Sequence, residues 1–179
     1  PVVLLHGPGG YAAHWARIIP TLIARHRVFA PDLPAHGATG VGDATLNAEH
    51  MLRWLQQLIA QTCPTPPALV GQLLGGAIAA RFAIAYPEQL SRLVLVDAFG
   101  LKPLQPAPEF MLAVSQFQSD PNPDTHEQLW QMCVHDLPAL RRQMGELWAP
   151  FQAYNVERAR VPQLQAALQR LTREVAEAL

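Results

Sequence analysis

Residues 68–76 read Ala68-Leu69-Val70-Gly71-Gln72-Leu73-Leu74-Gly75-Gly76. Ala68-Leu69-Val70 is an apolar run too short for a helix, and a glycine closes it. Such a run is a buried strand, and Gly71 to Gly76 is a sharp strand-to-helix turn. The helix that follows, Ala77–Tyr86, is rich in alanine and stops at Pro87. Glycine at positions 71 and 75 lets strand and helix pass close together, because neither residue carries a Cβ.

The same grammar extends in both directions. Upstream, the continuous apolar run Val2–Leu5 ends at His6-Gly7-Pro8-Gly9-Gly10, again a strand entering a glycine-rich loop. His14 to Arg25 has apolar residues at helical spacing, and Pro20 is expected to kink it. Arg27–Ala30 is a short strand, and Pro31 through Asp43 a long loop. Thr45 or Asn47 can cap the next helix, whose apolar stripe is Met51, Leu52, Leu55, Leu58 and Ile59. Pro64, Pro66 and Pro67 end it. Downstream, Leu93–Val96 is a fourth strand ending at Asp97. Short apolar runs that alternate with helices predict an α/β fold: a doubly wound, mostly parallel sheet covered on both faces.

After Gly100 no convincing strand is legible. Helices are expected over Glu109–Gln118, Thr125–His135, Ala139–Trp148 and Val161–Leu179, separated by Pro103, Pro106, Pro108, Pro121, Pro123, Pro138, Pro150 and Pro162. The last helix carries a stripe of Val161, Leu164, Leu168, Leu171 and Val175. That stripe either packs on its own domain or presents a partner face.

Composition removes several function classes. Half of the 179 residues are hydrophobic and 15% are charged, which suits a packed core and not a disordered chain. The formal charge of −1 leaves no basic surplus for a phosphate backbone, so no nucleic-acid partner is expected. No apolar run is long enough to span a membrane. Cys63, Cys133 and the seven histidines show no ligand spacing, so neither a metal nor another cofactor is expected. Two unpaired thiols suit a reducing compartment, the cytoplasm.

Three stretches in order carry a family resemblance: Leu4-Leu5-His6-Gly7-Pro8-Gly9-Gly10, then Ala30-Pro31-Asp32-Leu33-Pro34-Ala35-His36-Gly37, then Leu69–Gly76 followed by Tyr86-Pro87-Glu88 and Leu93–Asp97. The chain resembles the α/β-hydrolase superfamily, of the esterase or C–C hydrolase type with a helical cap. The resemblance implies that residues 1–100 are a partial hydrolase core holding strands three to six of the family sheet. It makes 101–179 the inserted cap. It implies that His6, Gly7, Pro8 and Gly9 form the oxyanion loop and that the backbone of Leu74 faces the oxyanion. Gly71, Gln72, Gly75 and Gly76 then frame the nucleophile elbow, and Leu73 stands where the family has serine.

Leucine offers only carbon, so the elbow is expected to be dead. The other reading is a single-base variant of an active gene. Pro8 is a second departure, because it has no N–H to give an oxyanion. Asp97 is a weak candidate for the triad acid; an aspartate there is more often an ordinary loop-starting residue. His6 and His36 are expected to shape their loops through backbone hydrogen bonds, Asp32 to fix the 31–37 loop, and His126 and His135 to be surface or packing residues. The resemblance therefore implies an ancestral hydrolase of an ester or related acyl or C–C bond, inactive as written. Its alternatives are a module that binds a small apolar or acyl-type ligand, or an interaction subunit.

The family sheet has eight strands and only four are legible. The chain opens on a strand without Met, so it is expected to be the middle of a larger protein lacking on the order of 80 residues, at usual element lengths. On that reading the strand at Val2–Leu5 has lost neighbours, and the isolated chain should aggregate through an open sheet edge.

Overall fold

The computed structural model describes residues 1–40, 46–102 and 105–176, apart from the side chains of Gln163, Leu164 and Ala176. Its contacts divide the chain into two compact units, Pro1–Leu104 with Ala166–Leu179, and Gln105–Gln165.

The first unit is built on a four-stranded parallel sheet of β1 (Val2–Leu5), β2 (Val28–Phe29), β3 (Ala68–Gln72) and β4 (Arg92–Val96), in the order β2-β1-β3-β4. The chain winds outward from β1 to β2, then crosses back to β3 and on to β4. The direction of winding thus reverses between β1 and β3, where open α/β sheets form their crevice. Leu5 pairs with Gly71 and Gly71 with Leu95, so the strand ends carrying the glycine-rich loops lie side by side.

Alternation along β1 divides its side chains between the two faces. Val2 and Leu4 pack with Trp15 and with Ile19, Leu22, Val28, Ala30, Ala68 and Val70. Val3, Leu5 and Leu69 point the other way and are completely buried. α3 (Leu74–Ala85) packs on β1, β3 and β4 and against α2 (Ala48–Thr62). Asn47 caps α2 by accepting from His50 N at 2.8 Å; Thr45, the other expected cap, lies outside the described residues. Met51, Leu55 and Ile59 form the buried part of the α2 stripe.

Two expectations about this unit are corrected. β1 is not a strand short of neighbours. Double winding places the first strand in the middle, between β2 and β3, with all four residues buried. The apolar edge is β4, where Leu93, Val94 and Val96 are 39%, 47% and 38% exposed. Nor does Pro20 kink a long helix. A 3-10 turn at Ala12–Trp15 gives way to the short helix α1 (Ile19–Ile23), and Pro20 sits in its first turn, where the missing N–H costs nothing.

The second unit contains α4 (Pro108–Ser119), α5 (Pro123–Cys133), α6 (Leu137–Met144) and α7 (Trp148–Ala159). Pro108 and Pro123 open their helices, and Pro138 is the second residue of α6. Prolines expected to separate helices therefore start them. The helix expected over Ala139–Trp148 breaks at Gly145, which adopts a φ of +55°. A 3-10 turn follows, and then α7, which has no counterpart among the expected helices. Pro150 occupies the first turn of α7, where N–H groups lack intrahelical partners anyway.

The chain returns through α8 (Pro162–Ala176). Leu171 and Val175 are completely buried in the first unit. Arg81 Nη2 donates to the Glu174 carbonyl at 3.1 Å, and Ala48 N donates to Glu174 Oε1 at 3.1 Å. The expected division gave all of 101–179 to the helical segment; the contacts group 166–179 with the first unit instead. Leu164, part of the expected stripe, lies outside the described side chains.

Candidate active site

The turn between β3 and α3 is a single residue. Leu73 adopts φ +48° and ψ −110°, a conformation that side chains with a Cβ rarely take. Three backbone hydrogen bonds hold it there. Leu73 N donates to Val96 O at 3.0 Å, and its carbonyl accepts from Ala77 N at 3.0 Å and Phe99 N at 3.1 Å. Strain of about 1–3 kcal/mol persists only where the surroundings over-determine it. Here the chain is clamped from both α3 and the turn after β4.

The glycines around it are required by contact. A Cβ on Gly71 would run into the backbone of Gly75, and one on Gly75 into the carbonyls of Leu5 and His6. A Cβ on Gly76 would lie 2.6 Å from that of Ala98. Gly7, at the end of β1, faces Leu73 itself: a Cβ there would be 3.2 Å from Leu73 Cδ1. The half-buried Leu73 side chain therefore lies over the first glycine loop. Leu74 opens α3 and is completely buried, while Gln72 ends β3 half-buried. Gly10 N donates to Gly7 O at 3.1 Å, folding the loop around Pro8 and Gly9; Gly9 adopts φ +68°.

Asp97 follows β4 and also adopts φ +48°. It is exposed, and its neighbours Val96 and Phe99 supply the two hydrogen bonds that clamp Leu73 from that side. Two non-glycine residues with positive φ thus stand at the ends of adjacent strands.

His6 is completely buried. Leu33 N donates to its Nε2 at 3.0 Å, so Nε2 is bare and the ring proton sits on Nδ1, which donates to Gly7 O at 2.8 Å. Burial lowers the pKa to about 4; the Gly7 carbonyl opposes the shift, and His36, 5.0 Å away ring to ring, adds to it. Both ring nitrogens are committed to backbone, so His6 fastens the 31–37 loop to the first glycine loop. His36 is buried and donates from Nδ1 to Pro34 O at 3.0 Å.

Asp32 completes this framework. Oδ1 accepts from Ala12 N at 2.6 Å and Oδ2 from Ala38 N at 2.7 Å, while Thr39 Oγ1 donates to the Asp32 carbonyl at 2.9 Å. Sequence reasoning places Asp32 in its own loop and misses the bond to Ala12, which no local spacing signals. Asp32→Ala is expected to cost about 3 kcal/mol, because two charge-assisted bonds are lost together. Asp32→Asn, which keeps one acceptor, should lose roughly half of that. Urea titration of the two variants checks the order.

Among the described residues, no group of three or more His, Cys, Asp or Glu is placed to hold a metal ion. Cys63 and Cys133 are both free. No described helix is long and apolar enough to cross a membrane.

Comparison with known proteins gives this geometry a setting. The pimeloyl-[acyl-carrier protein] methyl ester esterase of Aeromonas hydrophila is 38% identical over 95 residues, covering 53% of this chain and 36% of the esterase. The magnesium-chelatase 30 kDa subunit of Rhodobacter capsulatus is 36% identical over 98 residues, covering 54% and 34%. The matched stretch thus spans about a third of these curated relatives. Among solved structures, 2-hydroxy-6-oxo-6-phenylhexa-2,4-dienoate hydrolase from Rhodococcus superposes with a TM-score of 0.76 at 23% identity, covering 97% of this chain and 62% of that one. A meta-cleavage product hydrolase from Pseudomonas fluorescens gives 0.76 at 24%, covering 100% and 65%. The profile of the α/β hydrolase fold family matches residues 1–169, and the chain belongs to that family.

Proposed function

We propose that this chain descends from an esterase-type α/β hydrolase and that, in this form, it does not transfer acyl groups. The observation that carries the reading is the turn at Leu73. It has the strained single-residue geometry that projects a nucleophile from the end of a strand, and it carries a hydrocarbon side chain instead. In the parent reaction a serine here would attack the ester carbonyl. The N–H of Leu74, at the positive end of α3, would meet the developing oxyanion. The second donor would come from the loop at Gly7–Gly9. Pro8 cannot serve, which leaves that side of the oxyanion weaker.

Nor does His6 supply a general base. His6 spends both ring nitrogens on backbone, so it cannot take a proton from residue 73 without releasing the 31–37 loop. Asp97 lies close along the chain to the residues that clamp the turn and is the acid position of this reading. The helical unit 105–165 acts as the cap. Sequence similarity to methyl ester esterases favours a carboxylic ester as the ancestral substrate.

The test is hydrolysis of p-nitrophenyl butyrate. The chain as it stands should match the uncatalysed rate. Leu73→Ser, which restores the nucleophile, should raise turnover, by about 10²–10⁴ where a general base is in reach of position 73. Turnover by the homogeneous wild-type chain would overturn the inactive reading.

A further inference from the structure

His126 is completely buried at the centre of the second unit. It stacks on Trp130 of its own helix at 5.7 Å and meets Phe117 of α4 and Trp148 and Phe151 of α7 edge-on at 5.6, 6.0 and 5.9 Å. One imidazole therefore joins three helices, in a cage an apolar ring would fill with less polar cost. Its polar demand is met by two amides of α7. Asn155 Nδ2 lies 3.0 Å from Nε2, and Gln152 Nε2 lies 3.4 Å from Nδ1.

Both ring nitrogens face amide NH₂ groups, an arrangement that suits a neutral ring and not a doubly protonated one. Gln152 Nε2 also donates to Pro123 O at 3.0 Å, which holds its NH₂ group in place. Its second hydrogen is then available to Nδ1, 3.4 Å away. In the neutral ring one nitrogen carries the proton and the other accepts; the proton falls on Nε2 where the Asn155 amide turns its oxygen toward it. A second proton on Nδ1 would point at the anchored NH₂ group. Relief requires Gln152 to turn and give up Pro123, or the ring to leave the cage.

Among the described residues, the side-chain bonds to His126 come from amides and none from a carboxylate. Glu109 of α4, Asp124 of α5 and Glu157 of α7 are exposed, and so is Asp120, which caps α4. Glu127 of α5 is paired at 2.8 Å with Arg141 of α6. Arg141 in turn lies 5.5 Å over Trp148. Burial alone lowers the His126 pKa to about 4.

We propose that the helical unit 105–165 is an acid-operated module: proton uptake at His126 uncouples α4, α5 and α7, and the unit opens. Segment-resolved hydrogen exchange at pH 7 and pH 4.5, corrected for the intrinsic rate, reads the opening directly. With the open form taking the proton near 6.5 and the closed form near 4, opening in α4, α5 and α7 should rise by about 60-fold from pH 7 to pH 4.5. His126→Gln, which cannot titrate, should lose this dependence. Gln152→Glu gives Nδ1 an acceptor for the second proton and should cut the rise at least about tenfold, a check that survives if His126→Gln folds poorly. Equal acid response in wild type and His126→Gln, or no response in wild type, overturns the proposal.

Discussion

Gly75→Ala should abolish folding of the first unit, and Gly71→Ala should come close to it. A methyl group on Gly75 would meet the carbonyls of Leu5 and His6, and one on Gly71 would meet the Gly75 carbonyl and the Gly76 Cα. These neighbours are backbone of β1 and α3, so no side chain can swing aside. Relief means prising α3 off the sheet, and with it the completely buried Leu74, Ala77 and Ile78. Overpacking that side chains can absorb costs about 1–3 kcal/mol. A wedge between two backbones should exceed that, at roughly 4 kcal/mol, a large part of a domain's whole stability. Gly9→Ala is the control. Gly9 has φ +68° and nothing within 4 Å of its Cβ position, so only the backbone penalty of about 1–2 kcal/mol applies. Urea midpoints, or soluble yield where no transition can be measured, should rank wild type, then Gly9→Ala, then Gly75→Ala. Equal midpoints for the two variants would show that the close approach of β1 and α3 does not exist in solution.

The same contacts explain why the fold can be read from residues 68–76. Where backbone touches backbone, only glycine fits, so geometry writes itself into the sequence as residue identity. The alternation of short apolar runs with helices is equally direct, because a parallel sheet must be covered on both faces. Strand order is less local. Nothing in Val2–Leu5 says whether a strand is central or marginal; its full burial follows from the reversal of winding between β1 and β3. Prolines mislead for a related reason. Pro20 and Pro150 read as breaks, yet the first turn of a helix has no N–H partners to lose. The residues that distinguish start from break lie in the tertiary surroundings.

The candidate site divides in the same way. Leu73 is legible because its glycine frame is, and its positive φ shows that position 73 alone makes the turn. Asp97 shares the unusual φ, which no sequence signal announces in an aspartate. His126 reads in sequence as a surface or packing residue, and it is the buried centre of an aromatic cage. Its partners Phe117, Trp148, Gln152 and Asn155 come from helices apart in sequence. Three of them belong to α7, which Pro150 hides by reading as a break. The neighbours of Trp130 at helical spacing, His126 among them, are the available signal.

Acid should weaken the first unit through His6, and the direction follows from its hydrogen bonds. Folded His6 is neutral, because Nε2 must accept from Leu33 N, and its pKa falls to about 4 from 6.5. Between those values the unfolded chain binds a proton that the folded chain refuses. Stability is therefore complete above pH 6.5, declines as the pH falls, and the contribution is gone below about 4. The full loss is on the order of 3 kcal/mol, since each tenfold difference in proton affinity is worth about 1.4 kcal/mol. His6→Gln can keep an acceptor near Leu33 N and cannot titrate. It should cost some stability at pH 7.5 and flatten the dependence below 6.5. Trp15 packs against Val2 and Leu4 in this unit, so loss of its packing reports the event separately from the helical unit. Urea unfolding followed at pH 7.5, 6 and 5 should show the wild-type midpoint falling faster than that of His6→Gln. Parallel slopes would mean that His6 does not set the acid response, and that the two loops are joined through Asp32 instead.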